Sequence, residues 1–177
     1  LRENLRRAQK LLREAGWKYR NGVLRNDEGQ PLSFHIMLRQ PGFERIVAPF
    51  ARNLAKLGID ISYRTVDGAL YQRSMETFDF DMTVQILPQS MSPGNELKSM
   101  FHSSAADQEG SMNTIGIRDP VVDALVEEII YAPDRERLVT AAHALDRVLL
   151  HGEYLVPNWY IPYHRAAYWD RFAFPRT

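Results

Sequence analysis

The stretch PLSFHIMLRQPGFERIVAPFARNLAKLGIDISYRTVDGALYQRSMETFDFDMTVQIL, residues 31–87, decides the fold. Over residues 31–39, Leu32, Phe34, Ile36 and Leu38 alternate with Ser33, His35, Met37 and Arg39, the period of two that a strand with two different faces requires. Pro41-Gly42 breaks that strand. Ile46, Val47, Phe50, Leu54 and Leu57 then mark one helix face, and Gly58 ends the run. Pro49 lacks the amide proton for an internal hydrogen bond, so a bend is expected there. Residues 59–66 are β-branched and alternating, residues 68–77 suit a short helix, and residues 80–87 are apolar enough for another buried strand. The order strand, helix, strand, helix, strand implies right-handed crossovers and a mainly parallel sheet flanked by helices, so the expected class is α/β.

On the amino-terminal side, Leu5, Ala8, Leu11, Leu12 and Ala15 recur at helical spacing, which predicts an amphipathic helix over residues 2–15 with Gly16 as its left-handed cap. Trp17-Lys18-Tyr19 and Val23-Leu24-Arg25 then flank Arg20-Asn21-Gly22, whose Asn-Gly pair supplies the positive φ angles of a tight hairpin turn. On the other side, residues 88–117 hold Pro88, Pro93, Gly94, Gly110 and many Ser, Gln and Asn, a candidate functional loop. Asp119-Pro120 is an N-cap with proline at the first helical position, followed by Val121, Val122, Leu125, Val126, Ile129 and Ile130. Asp134 starts a second helix with Leu138, Ala142, Leu145, Val148 and Leu149 on its core face, closed by Gly152.

Tyr154, Trp159, Tyr160, Tyr163, Tyr168, Trp169, Phe172 and Phe174 crowd the end of a chain that has 3 Trp, 8 Tyr and 8 Phe in all. That density, interrupted by Pro157 and Pro162, predicts a strand between Tyr154 and Phe174, within an aromatic segment 154–177 that leaves the domain or meets something outside it.

Composition narrows the functions. In 177 residues, 22 Lys+Arg balance 22 Asp+Glu, which removes the basic field needed for nucleic acid or a polybasic membrane anchor. No Cys is present, which excludes thiolate catalysis, Cys-ligated metal and disulfides. A single domain of this length buries roughly 70% of the surface its extended chain exposes, so it needs no staple. The chain begins at Leu1 inside a helical pattern and reads as a piece of a longer protein.

No constellation carries catalysis. His35, His102, His143, His151 and His164 form no HExxH motif and no close helical pair, so no metal or other cofactor is expected. Asp79/Asp81 and Glu127/Glu128 read as turn contacts or solvated groups. Ser90, Ser92, Ser99, Ser103, Ser104 and Ser111 stand in no GxSxG or SxxK, and the glycines make no phosphate-cradling loop. A polar loop at the carboxyl end of a strand and an aromatic-rich segment remain. Ligands of open α/β sheets bind at that end, and aromatic walls with a few amides and hydroxyls suit a peptide-like solute. Two other readings are a hydrolase fragment whose catalytic group lies elsewhere and a protein-interaction module built on the aromatic segment.

The ordered pattern Leu11-Leu12-Arg13-Glu14-Ala15-Gly16-Trp17, Asn21-Gly22-Val23-Leu24, Gly29-Gln30-Pro31-Leu32-Ser33-Phe34 and Leu54-Ala55-Lys56-Leu57-Gly58-Ile59 is familiar as a set. It continues through Val66-Asp67 with Tyr71, Phe78-Asp79-Phe80-Asp81-Met82, Asn113, Asp119-Pro120-Val121-Val122-Asp123, Leu145-Asp146 and Leu155-Val156-Pro157. It resembles the C-terminal lobe of the family 5 bacterial extracellular solute-binding proteins, the oligopeptide, dipeptide and nickel receptors of ABC importers. The resemblance implies a type II periplasmic-binding-protein-like lobe spanning residues 1–177 and not an enzyme. It further implies a peptide or peptide-like ligand, an absent N-terminal lobe and membrane permease subunits as partners, and a periplasmic or membrane-associated extracellular location. The stretch Trp159-Tyr160-Ile161-Pro162-Tyr163-His164-Arg165 resembles the subgroup that handles oligopeptides and peptide-like compounds, including microcin C-type molecules.

In oligopeptide receptors the loop after the strand equivalent to residues 81–87 carries an aspartate for the peptide's amino terminus, and that position falls near Ser90 here. The acidic anchor for a free amine is therefore absent, and Gln85, Gln89 and Ser90 are expected to hydrogen-bond ligand amides instead, while the resemblance implies that Trp159 and Tyr160 form the wall and that Asn113 is a further ligand-side residue.

Overall fold

A computed structural model describes residues 1–163, 167, 169 and 171. Helix α1, Arg2–Glu14, lays Leu5, Ala8 and Leu12 on a cluster of Leu24, Leu57 and Ile59. It ends at Gly16, whose φ of +90° is open to glycine, and the Trp17 amide donates back to the Leu12 carbonyl at 2.9 Å. Strands β1, Lys18–Arg20, and β2, Val23–Arg25, pair antiparallel around Asn21 and Gly22, at φ +51° and +85°, as the expected hairpin turn demands. The hairpin docks through the Leu24 amide, which donates to the Gly58 carbonyl at 2.7 Å. A Cβ on Gly58, at φ +80°, would lie 2.6 Å from the Tyr19 ring and 2.8 Å from the Leu24 nitrogen, so only glycine lets the two backbones meet.

Strand β3, Ser33–Leu38, is central. It pairs parallel with β4, Asp60–Thr65, on one side and with β5, Met82–Thr83, on the other, and helix α2, Glu44–Ala55, connects β3 to β4. Alternation along β3 splits its side chains between two helical layers. Ile36 and Leu38 pack with Val47 of α2, whereas Met37 packs with Tyr71 and Met75 of α3, Gly68–Glu76. Helix α2 runs without a break through Pro49. This is the parallel sheet with helices on both faces that the spacing predicts.

Three expectations need correction. The strand expected over residues 80–87 pairs only at Met82 and Thr83. Its partner β3 ends at Leu38 ahead of Pro41, so residues 85–87 have no strand beside them, and Ile86 and Leu87 are exposed. The loop expected over residues 88–117 contains helix α4, Glu96–Phe101, and a 3-10 turn, Ser103–Ala105, because Leu97, Met100 and Phe101 fall on one face and are buried. Among the described residues the aromatic segment forms no strand, since Pro157 and Pro162 remove ladder donors. Its Tyr168, Phe172 and Phe174, and the His164-Arg165 pair, lie outside the described residues.

Helices α5, Pro120–Ile130, and α6, Arg135–His151, complete a second core with α4, centred on Val122, Val126, Ile129, Ala141 and Leu145. Both start where expected: the Asp119 carboxylate accepts from the Val121 amide at 2.8 Å, and Asp134 from the Arg137 amide at 2.8 Å.

Candidate ligand site at the carboxyl edge of the sheet

Because the three strands are parallel, their carboxyl ends share one edge, and residues 39–43, 66–67 and 84–92 emerge there. On the α3 face, Asp67 caps the helix by accepting from the Ala69 and Leu70 amides at 2.9 Å each. The Leu70 hydrogen bond is the chief reason that the Asp67 carboxyl stays below its ordinary pKa. That cap starts α3 early enough to bring Tyr71 under the strand ends. The Tyr71 hydroxyl donates to the Val84 carbonyl at 3.3 Å. The Thr83 hydroxyl donates to the Met37 carbonyl at 2.8 Å and stands 3.2 Å from the Tyr71 oxygen. The Arg39 guanidinium lies over the Tyr71 ring, 5.9 Å from its centroid.

At the turn that leads into α2, the 3-10 turn Pro41–Phe43 presents the Phe43 ring, on which Trp159 stacks with centroids 6.3 Å apart and planes 19° apart. One end of the aromatic segment is thereby brought to the edge. Trp159 remains 60% exposed and Tyr160 82%.

Beyond β5, the Gln85 amide oxygen accepts from the Thr114 hydroxyl at 2.9 Å, and the Gln89 amide donates to Glu96 at 2.9 Å. Glu96 is held below its ordinary pKa first by its own backbone N–H, then by the N–H of Gly94 and the Gln89 amide, against an opposing effect of burial. The Ser90 hydroxyl oxygen accepts from the Ser92 amide at 3.2 Å, and Arg135 donates to Ser92 at 3.0 Å, which ties the loop to α6.

Gln85, Gln89, Ser90, Trp159 and Tyr160 are thus all exposed, and the first four sit on segments leading from or tied to this edge. Asn113 is different and corrects the expectation placed on it. It is fully buried, its amide nitrogen donates to the carbonyls of His102 and Ile117 at 3.2 and 3.0 Å, and its oxygen accepts from the Ile117 amide at 2.9 Å. With donors and acceptor consumed inside its own loop, it shapes that loop and offers a solute nothing. Arg39, Phe43, Tyr71 and Thr114 are edge residues that the sequence reading did not single out for binding. For Arg39 and Phe43 the signal was position, since polar and aromatic residues just past a strand's carboxyl end are placed at the ligand side of such sheets, whereas Tyr71 and Thr114 reach the edge only through tertiary packing.

The sheet also pairs His35 with Ser62, Nδ1 to hydroxyl oxygen at 2.9 Å, but Asp81 accepts from the His35 backbone amide rather than its ring. This cross-strand contact lacks the oriented imidazole of a catalytic triad. Among the described residues, no group of three or more His, Asp or Glu side chains converges as a metal site.

Comparison with known proteins agrees with this geometry. The family model described as bacterial extracellular solute-binding proteins, family 5 Middle, matches residues 2–108. An uncharacterized protein, y4wM, of Sinorhizobium fredii is 47% identical over 176 residues, which are 99% of this chain and 26% of that protein. A probable peptide-binding protein, YejA, of Agrobacterium fabrum is 43% identical over 177 residues, 99% of this chain and 29% of that one. Among solved structures, the oligopeptide-binding protein AppA of Bacillus subtilis, in complex with a nonapeptide, superposes with a TM-score of 0.71 at 26% identity, over 81% of this chain and 29% of that one. The chain therefore spans between a quarter and a third of the length of the relatives it matches.

Proposed function

From the premise that the chain belongs to the family 5 bacterial extracellular solute-binding proteins, a family of binding proteins and not of enzymes, we propose that it is the C-terminal lobe of a two-lobed receptor. In this reading the receptor is periplasmic, captures a peptide or peptide-like solute between its lobes and delivers it to the permease of an ABC importer. Gln85, Gln89 and Ser90 hydrogen-bond the solute's amides, Trp159 and Tyr160 wall it, and residues 154–177 return toward the other lobe.

The observation that carries the proposal is the edge itself. Amide, hydroxyl and aromatic groups gather where the strands of a parallel sheet end, and they remain exposed. Such a site needs no reacting group. A solute that touches two lobes at once binds the closed form better than the open one and shifts a pre-existing equilibrium toward closure.

Native mass spectrometry of the full-length protein after gentle purification, followed by thermal shifts with peptide pools, tests the reading. The expected result is a peptide-sized adduct that denaturation releases, together with stabilisation by peptides. A clean apo mass with no stabilisation by any pool would overturn it. The isolated chain, which supplies only one side of the cleft, is expected to bind the same peptides far more weakly. Micromolar binding by the chain alone would overturn the two-lobe division.

A further inference from the structure

We propose that His102 is a pH-operated cap on the loop beside the ligand edge. With its ring neutral it holds the 3-10 turn Ser103–Ala105, and with its ring protonated it releases that turn and loosens the segment that carries Asn113 and Thr114.

The backbone places the ring. At φ −73° and ψ 141°, His102 ends α4 and starts the turn, and its side chain accepts an amide of that turn. The Ser104 N–H donates to Nδ1 at 3.0 Å, and the Ser104 hydroxyl oxygen stands 2.9 Å from the same nitrogen. A neutral imidazole that accepts at Nδ1 carries its proton on Nε2. Nε2 faces α5, 3.9 Å from a Glu127 carboxylate oxygen, and Nδ1 lies 3.8 Å from Asp123. Among the described residues, His102 is the one histidine whose ring has carboxylate oxygens within ion-pair distance, and it has two.

Protonation changes which groups the ring can satisfy. An imidazolium donates from both nitrogens and accepts at neither, so Nδ1 can no longer take the Ser104 N–H. It gains the Ser104 hydroxyl oxygen and the two carboxylates in exchange. Lys98 of α4 pairs with Glu127 at 2.9 Å, so the groups around the ring hold two negative charges against one positive, and the imidazolium brings the sum to zero. The Asp123 oxygen that Nδ1 approaches is also the one that accepts the Ser103 amide at 2.7 Å. A charged ring drawn to Asp123 therefore competes for the turn's second anchor while it gives up the first.

The loop hangs on the same residue. The His102 carbonyl accepts from the Ala105 amide at 3.0 Å, inside the turn, and from the Asn113 side-chain amide at 3.2 Å. Asn113 accepts from the Ile117 amide, and its neighbour Thr114 holds Gln85. A turn that loses its cap displaces the carbonyl that anchors this loop.

Hydrogen exchange of the full-length protein at single-amide resolution, corrected for the intrinsic pH dependence of exchange and compared at about pH 8 and about pH 5, tests the cap. The Ser104 amide is expected to exchange roughly fivefold faster in acid, the factor for losing one capping hydrogen bond, with a smaller rise at Ile117 and none in α6. His102→Asn keeps a side-chain oxygen for the Ser104 amide but does not titrate, so its protection is expected to be equal at both pH values. His102→Ala is expected to show the faster exchange at both. Ring nitrogen-15 spectra, with the His102 signal assigned by its loss in His102→Asn, are expected to show the proton on Nε2 at the higher pH and on both nitrogens at the lower.

Equal Ser104 protection at both pH values in the unaltered protein, a comparison that needs no variant to fold, would overturn the proposal. So would an acid effect that persists in His102→Asn, or a neutral ring that carries its proton on Nδ1. None of these readouts uses a solute, so they are decided separately from the receptor reading.

Discussion

In the α/β half, residues 1–87, three short parallel strands carry apolar side chains to helices on both faces and end in groups that the core does not use. In the helical half, residues 96–151, several polar groups are spent on local structure instead. Asn113 spends its whole amide on its own loop, and the Asp119 and Asp134 carboxylates cap α5 and α6. The halves have separate cores, and the hydrogen bonds between them include Gly110 N–H to the Glu76 carbonyl at 3.0 Å and Thr114 to Gln85. The lesson is a division of labour. A sheet whose strands end together leaves exposed side chains at that end, whereas the helical half uses Asn113, Asp119 and Asp134 to fix its own loops and helix starts.

The largest expected effects test whether the halves are separate cooperative units. Ile36 and Ile129 are each 2% exposed, one in each core. Replacing either with Ala is expected to cost about 3 kcal/mol. Native-state hydrogen exchange should show Ile129→Ala lowering protection in α5 and α6 while β3 keeps its own, and Ile36→Ala doing the converse. Equal loss in both halves from either variant would merge them into one unit.

Gly58→Ala comes next, at about 2 kcal/mol, since it adds a positive-φ penalty to overlap with the Leu24 backbone. Its effect should stay in the α/β half, freeing the hairpin and α1 from the sheet, and far-ultraviolet melting of the variant would measure it. Asp119→Ala should cost about 1 kcal/mol and fray α5 alone, which exchange at the Val121 and Val122 amides would report.

The smallest effect is acid sensitivity. Burial pushes the Asp123 carboxyl up, but the N–H and hydroxyl of Ser103 and the neighbouring His102 pull harder, so it sits below its ordinary value of 3.8. A folded-state pKa below the unfolded one gives stability that is fully present above the ordinary value and is lost as pH falls through the folded value. Asp123→Asn should therefore flatten the acid limb of the stability curve for the helical half and leave the α/β half, where Asp67 has the same sign of shift, unchanged. Acid titration with exchange detection distinguishes the two.

How much of this was legible in the sequence differs by region for physical reasons. Leu32, Phe34, Ile36 and Leu38 could be read because their environment is set by local alternation, and Asp119-Pro120 and Asn21-Gly22 because their backbone angles are set by the residues themselves. The truncation of β5 could not, because it depends on where β3, more than forty residues earlier, runs into Pro41. Leu97, Met100 and Phe101 did carry helical spacing, but prolines, glycines and serines on either side masked it. Gln85, Gln89 and Ser90 follow a strand in the sequence, and their exposure beyond β5 was legible from that place. The burial of Asn113 and the contact between Arg39 and Tyr71 arise from tertiary packing that spacing does not encode.

The stacking of Trp159 on Phe43 has a consequence for the order in which the molecule is made. Chains fold from the amino terminus as they are synthesised, so Phe43 and the sheet beside it precede Trp159 in synthesis. The contact closes a loop of about two thirds of the chain, and the entropy of that closure is offset only when the elements between are in place. The stacked pair is thus a late, long-range contact, made after the β3–α2 turn that carries Phe43 has formed.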